Sequence, residues 1–130
     1  MVYLDSCIAI YLVEEHPSHG PAIEAALVAD ETYCISPLVE MECMILPIRL
    51  RRDDLVAKFQ RFFSIQRQLE LPNVVFHAAA ELRARHGLKT PDALHLATAR
   101  HHQCTAFWTN DDRLKVVAGA LAVNVLSARI

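Results

Sequence analysis

The sequence predicts an α/β protein in which a mostly parallel, five-stranded sheet lies between two layers of helices. Short runs of strand-forming residues alternate with helical segments along the chain, and this alternation is typical of a parallel sheet covered on both faces. Hydrophobic residues make up 53% of the 130 residues and charged residues 22%, a globular composition. That length is enough to bury one core. We therefore expect a single three-layer α/β/α sandwich domain spanning residues 1–130.

In the first third of the chain, two short strands alternate with two helices. VYL (2–4) is rich in strand formers and ends at Asp5, and SCIAIYLVE (6–14) has room for about two helical turns. After the break EHPSHGP, Pro21 can open a helix running to about Ala29, because a proline is tolerated in the first turn. TYCIS (32–36) is the second predicted strand.

Two further helices are predicted between residues 37 and 69. Residues 37–46 are apolar almost all the way round, except for Glu40 and Glu42, which suits a helix buried on several sides or lying in a subunit interface. Pro47 should break or bend it. Residues 52–69 place apolar side chains at spacings of three and four, which predicts an amphipathic helix.

The second half of the chain is predicted to hold three more strands and three more helices. The strands are NVVF at 73–76, AFW at 106–108 and VNVL at 123–126. The helices span 77–86, about 90–102 and 112–118. Gly87 stands where a left-handed C-cap is common, and Thr90-Pro91 supplies an N-cap followed by a proline at the first helical position.

Charge, hydropathy and cysteine content argue against several classes of protein. The uncharged stretches are shorter than the roughly 20 residues of a membrane span, and MVYLDSC has no basic region before an apolar run, so we expect a cytoplasmic protein that is not exported. The formal net charge of −2 is not that of a basic nucleic-acid-binding domain. Four dispersed cysteines without a CxxC motif are expected to be reduced rather than paired or zinc-bound; they are Cys7, Cys34, Cys43 and Cys104.

A local basic cluster is formed by Arg49, Arg51 and Arg52. It is either a solvated helix face balanced by Asp53 and Asp54 or a local patch that contacts nucleic acid.

Three aspartates are predicted to meet at one edge of the sheet. Ligand sites in open α/β sheets lie at the carboxyl ends of the strands, where Asp5 follows the first strand and Asp111 follows the fourth. If the fourth strand is parallel, the helix that leads into it begins at this same edge, which brings Asp92 in its first turn beside the other two.

The helix at 37–46 leaves a strand at the same edge and offers two further acids. Glu40 and Glu42 are two residues apart and therefore about 200° apart around the helix axis, so at most one can point into the cleft. The apolar pattern does not choose between them.

Several carboxylates in one place need a compensating charge or a shared proton. Two unit charges about 4 Å apart repel by roughly 4 kcal/mol at an effective dielectric constant near 20. Either the pKa of one carboxyl group is raised, so that it keeps a proton, or a divalent cation binds to the carboxylates. An all-oxygen site favours Mg²⁺ or Mn²⁺, and metal, carboxylates and phosphate together indicate phosphodiester hydrolysis, with the ion acidifying a water and a non-ligating carboxylate accepting a proton.

Four blocks of the sequence resemble the PIN domain family, and within it the VapC-type toxins of bacterial and archaeal toxin–antitoxin pairs. The blocks stand in the family's order and cover essentially the whole chain; they are YLDSCIAIYL, ISPLVEMEC, LRARHGLKTPDALHLATA and FWTNDDRL. The resemblance implies that Asp5, Asp92 and Asp111 are catalytic metal ligands. From the position of Ser36 it selects Glu42 over Glu40 as the fourth.

The same resemblance implies a Mg²⁺- or Mn²⁺-dependent endoribonuclease that acts as a toxin. It also implies a homodimer, neutralised by a cognate VapB-like antitoxin in an assembly that can be larger still. Ser6 keeps a hydroxyl where the family often has threonine, whereas Cys7 replaces an asparagine amide. Ser6, Thr109 and Asp112 are expected around the ligands, and Asp112 could substitute for Asp111 or supplement it.

The sequence leaves the role of His95 open and allows two other functions to be considered. His95, three residues after Asp92, either orients a carboxylate or packs in the core. A phosphoaspartyl transferase also places an aspartate after its first strand, but Cys7 stands where that chemistry needs a second aspartate. A catalytically silent module that binds a partner protein or RNA is the second of these functions, and the intact set of acids argues against it.

Overall fold

An all-parallel, five-stranded sheet forms the centre of the molecule, with strand order β3-β2-β1-β4-β5. The coordinates are a computed structural model that describes residues 1–126. The strands are β1 (Val2–Leu4), β2 (Tyr33–Ile35), β3 (Arg67–Gln68), β4 (Ala106–Trp108) and β5 (Ala122–Val123). The predicted α/β fold with five strands is confirmed, but the predicted bounds of the fifth strand, 123–126, are wrong by one to three residues, because β5 begins at Ala122 and ends at Val123.

Seven helices cover this sheet within residues 1–126. They are α1 (Ser6–Val13), α2 (His19–Ala26), α3 (Pro37–Arg49), α4 (Asp53–Ile65), α5 (Asn73–His86), α6 (Thr90–His101) and α7 (Asp112–Ala118). Helix α1 contacts α2, α3 and α4, whereas α6 contacts α5 and α7. A short 3₁₀ turn, Gly119–Leu121, leads into β5. None of the helices in this part of the chain has the length and apolar character needed to span a bilayer.

β1 is the central strand, paired in parallel with β2 on one side and β4 on the other. All three of its residues are buried, which explains why VYL is apolar throughout rather than alternating. The backbone N–H of Asp5 continues the pairing by donating to the carbonyl oxygen of Trp108, at 3.0 Å. The first acid of the candidate site is therefore fixed by the sheet itself.

The predicted third strand at 73–76 is wrong. Pro72 precedes the first turn of α5, and Val75, Ala79 and Leu82 are buried at helical spacings of four and three. The run NVVF contains two valines and a phenylalanine and is ambiguous, because four such residues suit a strand as well as one helical turn. The true third strand, β3, consists of two exposed polar residues at the edge of the sheet, inside the segment predicted as the end of a helix.

Several helix boundaries differ from the sequence predictions by one to three residues. α2 begins two residues before Pro21 and ends at Ala26, and α6 begins at Thr90 itself, so that Lys89 occupies the N-cap position. α3 continues through Pro47 and ends at Arg49. A proline removes only one helical hydrogen bond, and the buried ring of Pro47 stays inside the last turn.

Candidate active site

A cleft of about 430 Å³ opens at the carboxyl edge of the sheet. Its lining includes five acidic residues from four elements or their caps: Asp5, Glu42, Asp92, Asp111 and Asp112. Ser6, Cys7 and Asn110 complete it. The topology explains the convergence, because α1, α3 and α7 each leave a strand at this edge and α6 begins there before it leads into β4.

Asp5 is the most constrained of these acids. It is 7% exposed and serves as N-cap of α1, with Oδ1 accepting from the backbone N–H of Ser6 at 2.8 Å. Oδ2 accepts from the buried hydroxyl of Thr109 at 2.7 Å, and that hydroxyl oxygen accepts from the backbone N–H of Asp111 at 3.1 Å. Thr109 therefore ties the end of β4 to the carboxylate that follows β1.

Glu42 reaches the cleft from the second turn of α3. Its Oε1 lies 2.5 Å from Nε2 of His95, whose ring is 1% exposed. Glu40, two residues earlier, lines a different cavity with Gln60 and Gln68. The helix geometry thus places Glu42, and not Glu40, with the other acids.

The buried ring of His95 lies between two carboxylates and the first strand. Its Nδ1 is 2.7 Å from the hydroxyl of Tyr3, and its Nε2 is 3.8 Å from Oδ1 of Asp5. The Tyr3 hydroxyl is also 2.8 Å from Oγ of Ser36, the residue before α3. Sequence reasoning missed Tyr3 and Ser36, since a tyrosine inside an apolar strand gives no signal of a polar partner.

The carboxyl group of Asp92 is affected by burial and by the other acids of the cleft. Its side chain is partly buried in the first turn of α6. Burial, and then the negative charges of Asp111, Asp5 and Glu42, raise the pKa of Asp92, while the nearby His95 acts in the opposite direction. The mutual repulsion expected from the sequence is therefore present at this residue.

Asp111 has a structural task beside any chemical one. Its Oδ1 accepts from the backbone N–H groups of Arg113 and Leu114 at 2.9 and 3.2 Å, which makes it the N-cap of α7. Asp112, the next residue, is exposed and lines the same cleft. Either carboxylate lies within the cleft, and Asp111 is the more ordered of the two because of its cap bonds.

The cysteine in the cleft is suited to packing rather than to nucleophilic chemistry. Burial and then the charge of Asp5 raise the pKa of Cys7 to about 12, so the thiol stays protonated at neutral pH. All four cysteines are free, as expected, and the other three are buried.

The donor set suits a hard divalent cation. Single ligand atoms of Asp5, Glu42 and His95 all lie within 4.8 Å of one another. Both ring nitrogens of His95 are already occupied by hydrogen bonds, so the available ligands are carboxylate oxygens. Oxygen ligands in this number favour Mg²⁺ or Mn²⁺ over Zn²⁺.

The three arginines singled out in the sequence lie outside the lining of the cleft. Arg49 ends α3, and Arg51 and Arg52 form the connection to α4. All three are exposed, and Arg52 makes a two-point ion pair with Asp54 at 2.9 and 2.8 Å.

Comparisons with known proteins give a consistent family. The family model described as PIN domain matches residues 2–120. A toxin–antitoxin complex from Klebsiella pneumoniae aligns with a TM-score of 0.76 at 21% identity, covering 96% of this chain and 98% of that chain.

Two further solved structures align over similar lengths. VapBC2 from Rickettsia felis, bound to a promoter DNA fragment, gives a TM-score of 0.78 at 20% identity over 95% and 98% of the two chains. The sarcin-ricin loop cleaving toxin VapC20 from Mycobacterium tuberculosis gives 0.74 at 16% over 90% and 95%. A comparison with curated protein sequences finds no match.

Proposed function

This chain belongs to the PIN domain family, and from that premise we propose that it is a Mg²⁺- or Mn²⁺-dependent endoribonuclease that acts as the toxin of a toxin–antitoxin pair. The observation that carries the proposal is the convergence of Asp5, Glu42, Asp92 and Asp111 on one cleft, where burial and then the neighbouring negative charges raise the pKa of Asp92. Such repulsion is unfavourable unless a cation offsets it.

In the proposed reaction the protein supplies ligands, order and a proton acceptor. Asp5 is held at both oxygens by Ser6 and Thr109, so its position is set before any substrate binds. Asp92, Asp111 and Glu42 bring the remaining oxygens, with Asp112 next to them. A bound divalent ion would polarise a phosphoryl oxygen and make water a stronger acid. A carboxylate of the set that does not ligate accepts the proton of the attacking water.

The partners of the proposed toxin are RNA, a VapB-like antitoxin and a second copy of the chain. Two of the structural neighbours are complexes of a toxin with its antitoxin. The side chains of Met41, Ile45 and Ile48 are exposed at spacings of four and three along α3, and they form an apolar stripe, which supports a protein interface on this helix.

The proposed RNA-binding residues are Arg49, Arg51 and Arg52. Arg49 follows Glu42 by seven residues on α3, so the two residues lie on the same side of that helix, two turns or roughly 10 Å apart. Arg51 and Arg52 follow directly in the connection to α4. Cations there can contact the phosphates of an RNA that enters the cleft.

The deciding experiment combines growth and cleavage. We expect expression of the wild-type chain to arrest bacterial growth and to produce RNA with new ends, and expression of Asp5→Asn to do neither. With purified protein, EDTA should stop cleavage of total RNA, and Mn²⁺ or Mg²⁺ should restore it. Glu40→Gln is the matched control, because Glu40 is an acid of α3 outside the cleft.

Two outcomes would contradict the proposal in different ways. Cleavage that continues in EDTA would exclude the metal-dependent mechanism. A wild-type chain that neither arrests growth nor cuts RNA, but still binds a partner protein, would indicate the catalytically silent module instead.

A further inference from the structure

The buried side chains behind Glu42 form a continuous series of hydrogen bonds. It runs from Ser36 through the hydroxyl of Tyr3 and both ring nitrogens of His95 to Oε1 of Glu42, with distances of 2.8, 2.7 and 2.5 Å. Ser36 and Tyr3 are fully buried and His95 is nearly so. Three elements contribute, because Tyr3 lies in β1, His95 in α6, and Glu42 in α3, of which Ser36 is the N-cap; the arrangement is therefore a tertiary one that no local motif would generate.

The protons of this series can be placed from the partners. The hydroxyl of Tyr3 has one proton to donate. If Tyr3 donates to Nδ1 of His95, then Ser36 donates to Tyr3, and Nε2–H of His95 donates to Glu42. Every proton in this arrangement has an acceptor, whereas the reverse direction would leave the Ser36 hydroxyl proton without one among the described residues. In each hydrogen bond of the series, the proton is therefore donated in the direction of Glu42.

We propose that His95 and Tyr3 are positioning residues that hold the carboxylate of Glu42 for the divalent cation, an inference that rests on the proposed function. His95 fixes Oε1 and leaves Oε2 to the cleft, where Glu42 shares the lining with Asp5 and Asp92. Tyr3 in turn fixes the ring of His95 through Nδ1. A donor behind a ligand orients it, and loss of such partners typically weakens metal binding by roughly tenfold to 100-fold.

Two other roles for His95 fit the geometry less well. As a metal ligand it would need a free ring nitrogen, but both face hydrogen-bonding partners. As a general base it would need access to a water in the cleft, but its ring is 1% exposed and its Nε2 is directed at Glu42. A glutamate side chain has three rotatable bonds, and holding it in one conformation before the cation arrives removes that ordering cost from binding.

The test is calorimetric titration of Mn²⁺ into the purified protein and its variants. We expect His95→Phe to raise the Mn²⁺ dissociation constant by about tenfold or more. Tyr3→Phe should raise it by a smaller factor, and His95→Gln should recover part of the loss, since the glutamine amide keeps an N–H donor. Tyr33→Phe is the matched control, because Tyr33 accepts a hydrogen bond from the backbone of Val28, outside the cleft.

A double-variant cycle separates positioning from general damage to the fold. In a Glu42→Gln background the same His95→Phe change should alter the dissociation constant by less than about twofold, because the carboxylate that it positions is gone. If His95→Phe does not fold, Tyr3→Phe decides, because it keeps the ring that packs on Phe107 with centroids 5.1 Å apart.

The outcomes distinguish this inference from the proposed function. Wild-type affinity in Tyr3→Phe and His95→Phe, together with weakened binding in Glu42→Gln, would overturn the positioning role and leave the metal site intact. An equal loss from His95→Phe with and without Glu42 would overturn it as well. A wild-type protein that binds no Mn²⁺ would overturn both.

Discussion

The carboxyl group of Asp92 lowers the free energy of unfolding of the metal-free protein at neutral pH. Its carboxyl group has a raised pKa in the folded protein because of burial and the charges of Asp111 and Asp5. Between its ordinary pKa and the raised value, the folded protein holds more protons than the unfolded chain. The free energy of unfolding therefore falls as the pH rises through this window, and the loss is complete above it.

Asp92→Asn removes that loss, so we expect the metal-free variant to be more stable than the wild type at pH 7. The difference should shrink as the pH falls from the raised pKa of Asp92 towards the ordinary pKa of an aspartate. Urea unfolding in EDTA at a series of pH values measures it. Asp112→Asn, at an exposed position beside the same cleft, should show little gain. An Asp92→Asn variant that is less stable than the wild type at pH 7 would show that electrostatic repulsion is not the dominant effect there.

Glu42 and Glu40 offer a comparison between two identical side chains on one helix. Glu42 lies in the acidic cleft and Glu40 does not. We expect Glu42→Gln to reduce RNA cleavage by about 100-fold or more, since it removes a charge that acts on the transition state. Glu40→Gln should cleave within about twofold of the wild type, as surface changes away from a site usually do. Initial rates on one RNA substrate at saturating Mn²⁺ measure both, and equal rates would contradict the assignment.

The residues of the cleft differ in how far the sequence could identify them. Asp5, Asp92 and Asp111 follow from topology alone, because strand ends and helix starts meet at one edge of a parallel sheet. The apolar pattern left Glu40 and Glu42 open and only the family resemblance selected Glu42; in the structure the rotation of α3 against the sheet brings Glu42 into the cleft. The bonds from Tyr3 and Ser36 to His95 depend on packing between distant elements, and no periodicity encodes them.

At the scale of elements, burial explains which predictions succeeded. β1 and β4 are buried runs of apolar residues, and the sequence located them closely. β3 consists of two exposed polar residues whose place is set by pairing with β2 at the sheet edge, so its own side chains carry no strand signal. NVVF was misassigned because its valines and phenylalanine are common in strands, while four residues are also enough for one helical turn.

Helix α3 presents the apolar stripe Met41, Ile45 and Ile48, which we expect to lie in the homodimer interface. Ile48 is 62% exposed in the single chain. A charge introduced into the stripe would be buried without a partner in the dimer, so Ile45→Glu should shift the protein to monomer. Light scattering coupled to size-exclusion chromatography measures the mass.

Val116→Glu provides the control for that prediction. Val116 on α7 is also an exposed apolar residue, at 84%, but it stands outside the stripe. A dimer that persists in Ile45→Glu and is lost in Val116→Glu would place the interface on α7 instead. A monomeric wild type would remove the homodimer from the proposal and leave the stripe for the antitoxin.

At the scale of the whole molecule, the proposed cleavage of RNA requires a local group of positive charges, because the chain as a whole is slightly negative. The chain carries a formal net charge of −2, and five of its acids surround the cleft, so the overall field does not attract a polyanion. A cation bound in the cleft would offset this negative charge only at short range. Attraction at larger distance has to come from exposed cations, and Arg49 at the end of α3 and Arg51 in the connection to α4 are both exposed.

We therefore expect Arg49→Ala and Arg51→Ala to weaken RNA binding and to make it less dependent on salt. Each phosphate contact to single-stranded RNA contributes about 0.7 to the slope of log affinity against log salt concentration, so the double variant should lose up to about 1.4. Binding of RNA to the inactive Asp5→Asn protein, measured by fluorescence anisotropy over a range of salt concentrations, gives the slope without cleavage. Arg67→Ala is the matched control, because Arg67 is an exposed arginine at the start of β3, towards the opposite edge of the sheet. If Arg67→Ala reduced the slope as much as the other two, the RNA would have to bind along the edge of the sheet rather than at the connection between α3 and α4.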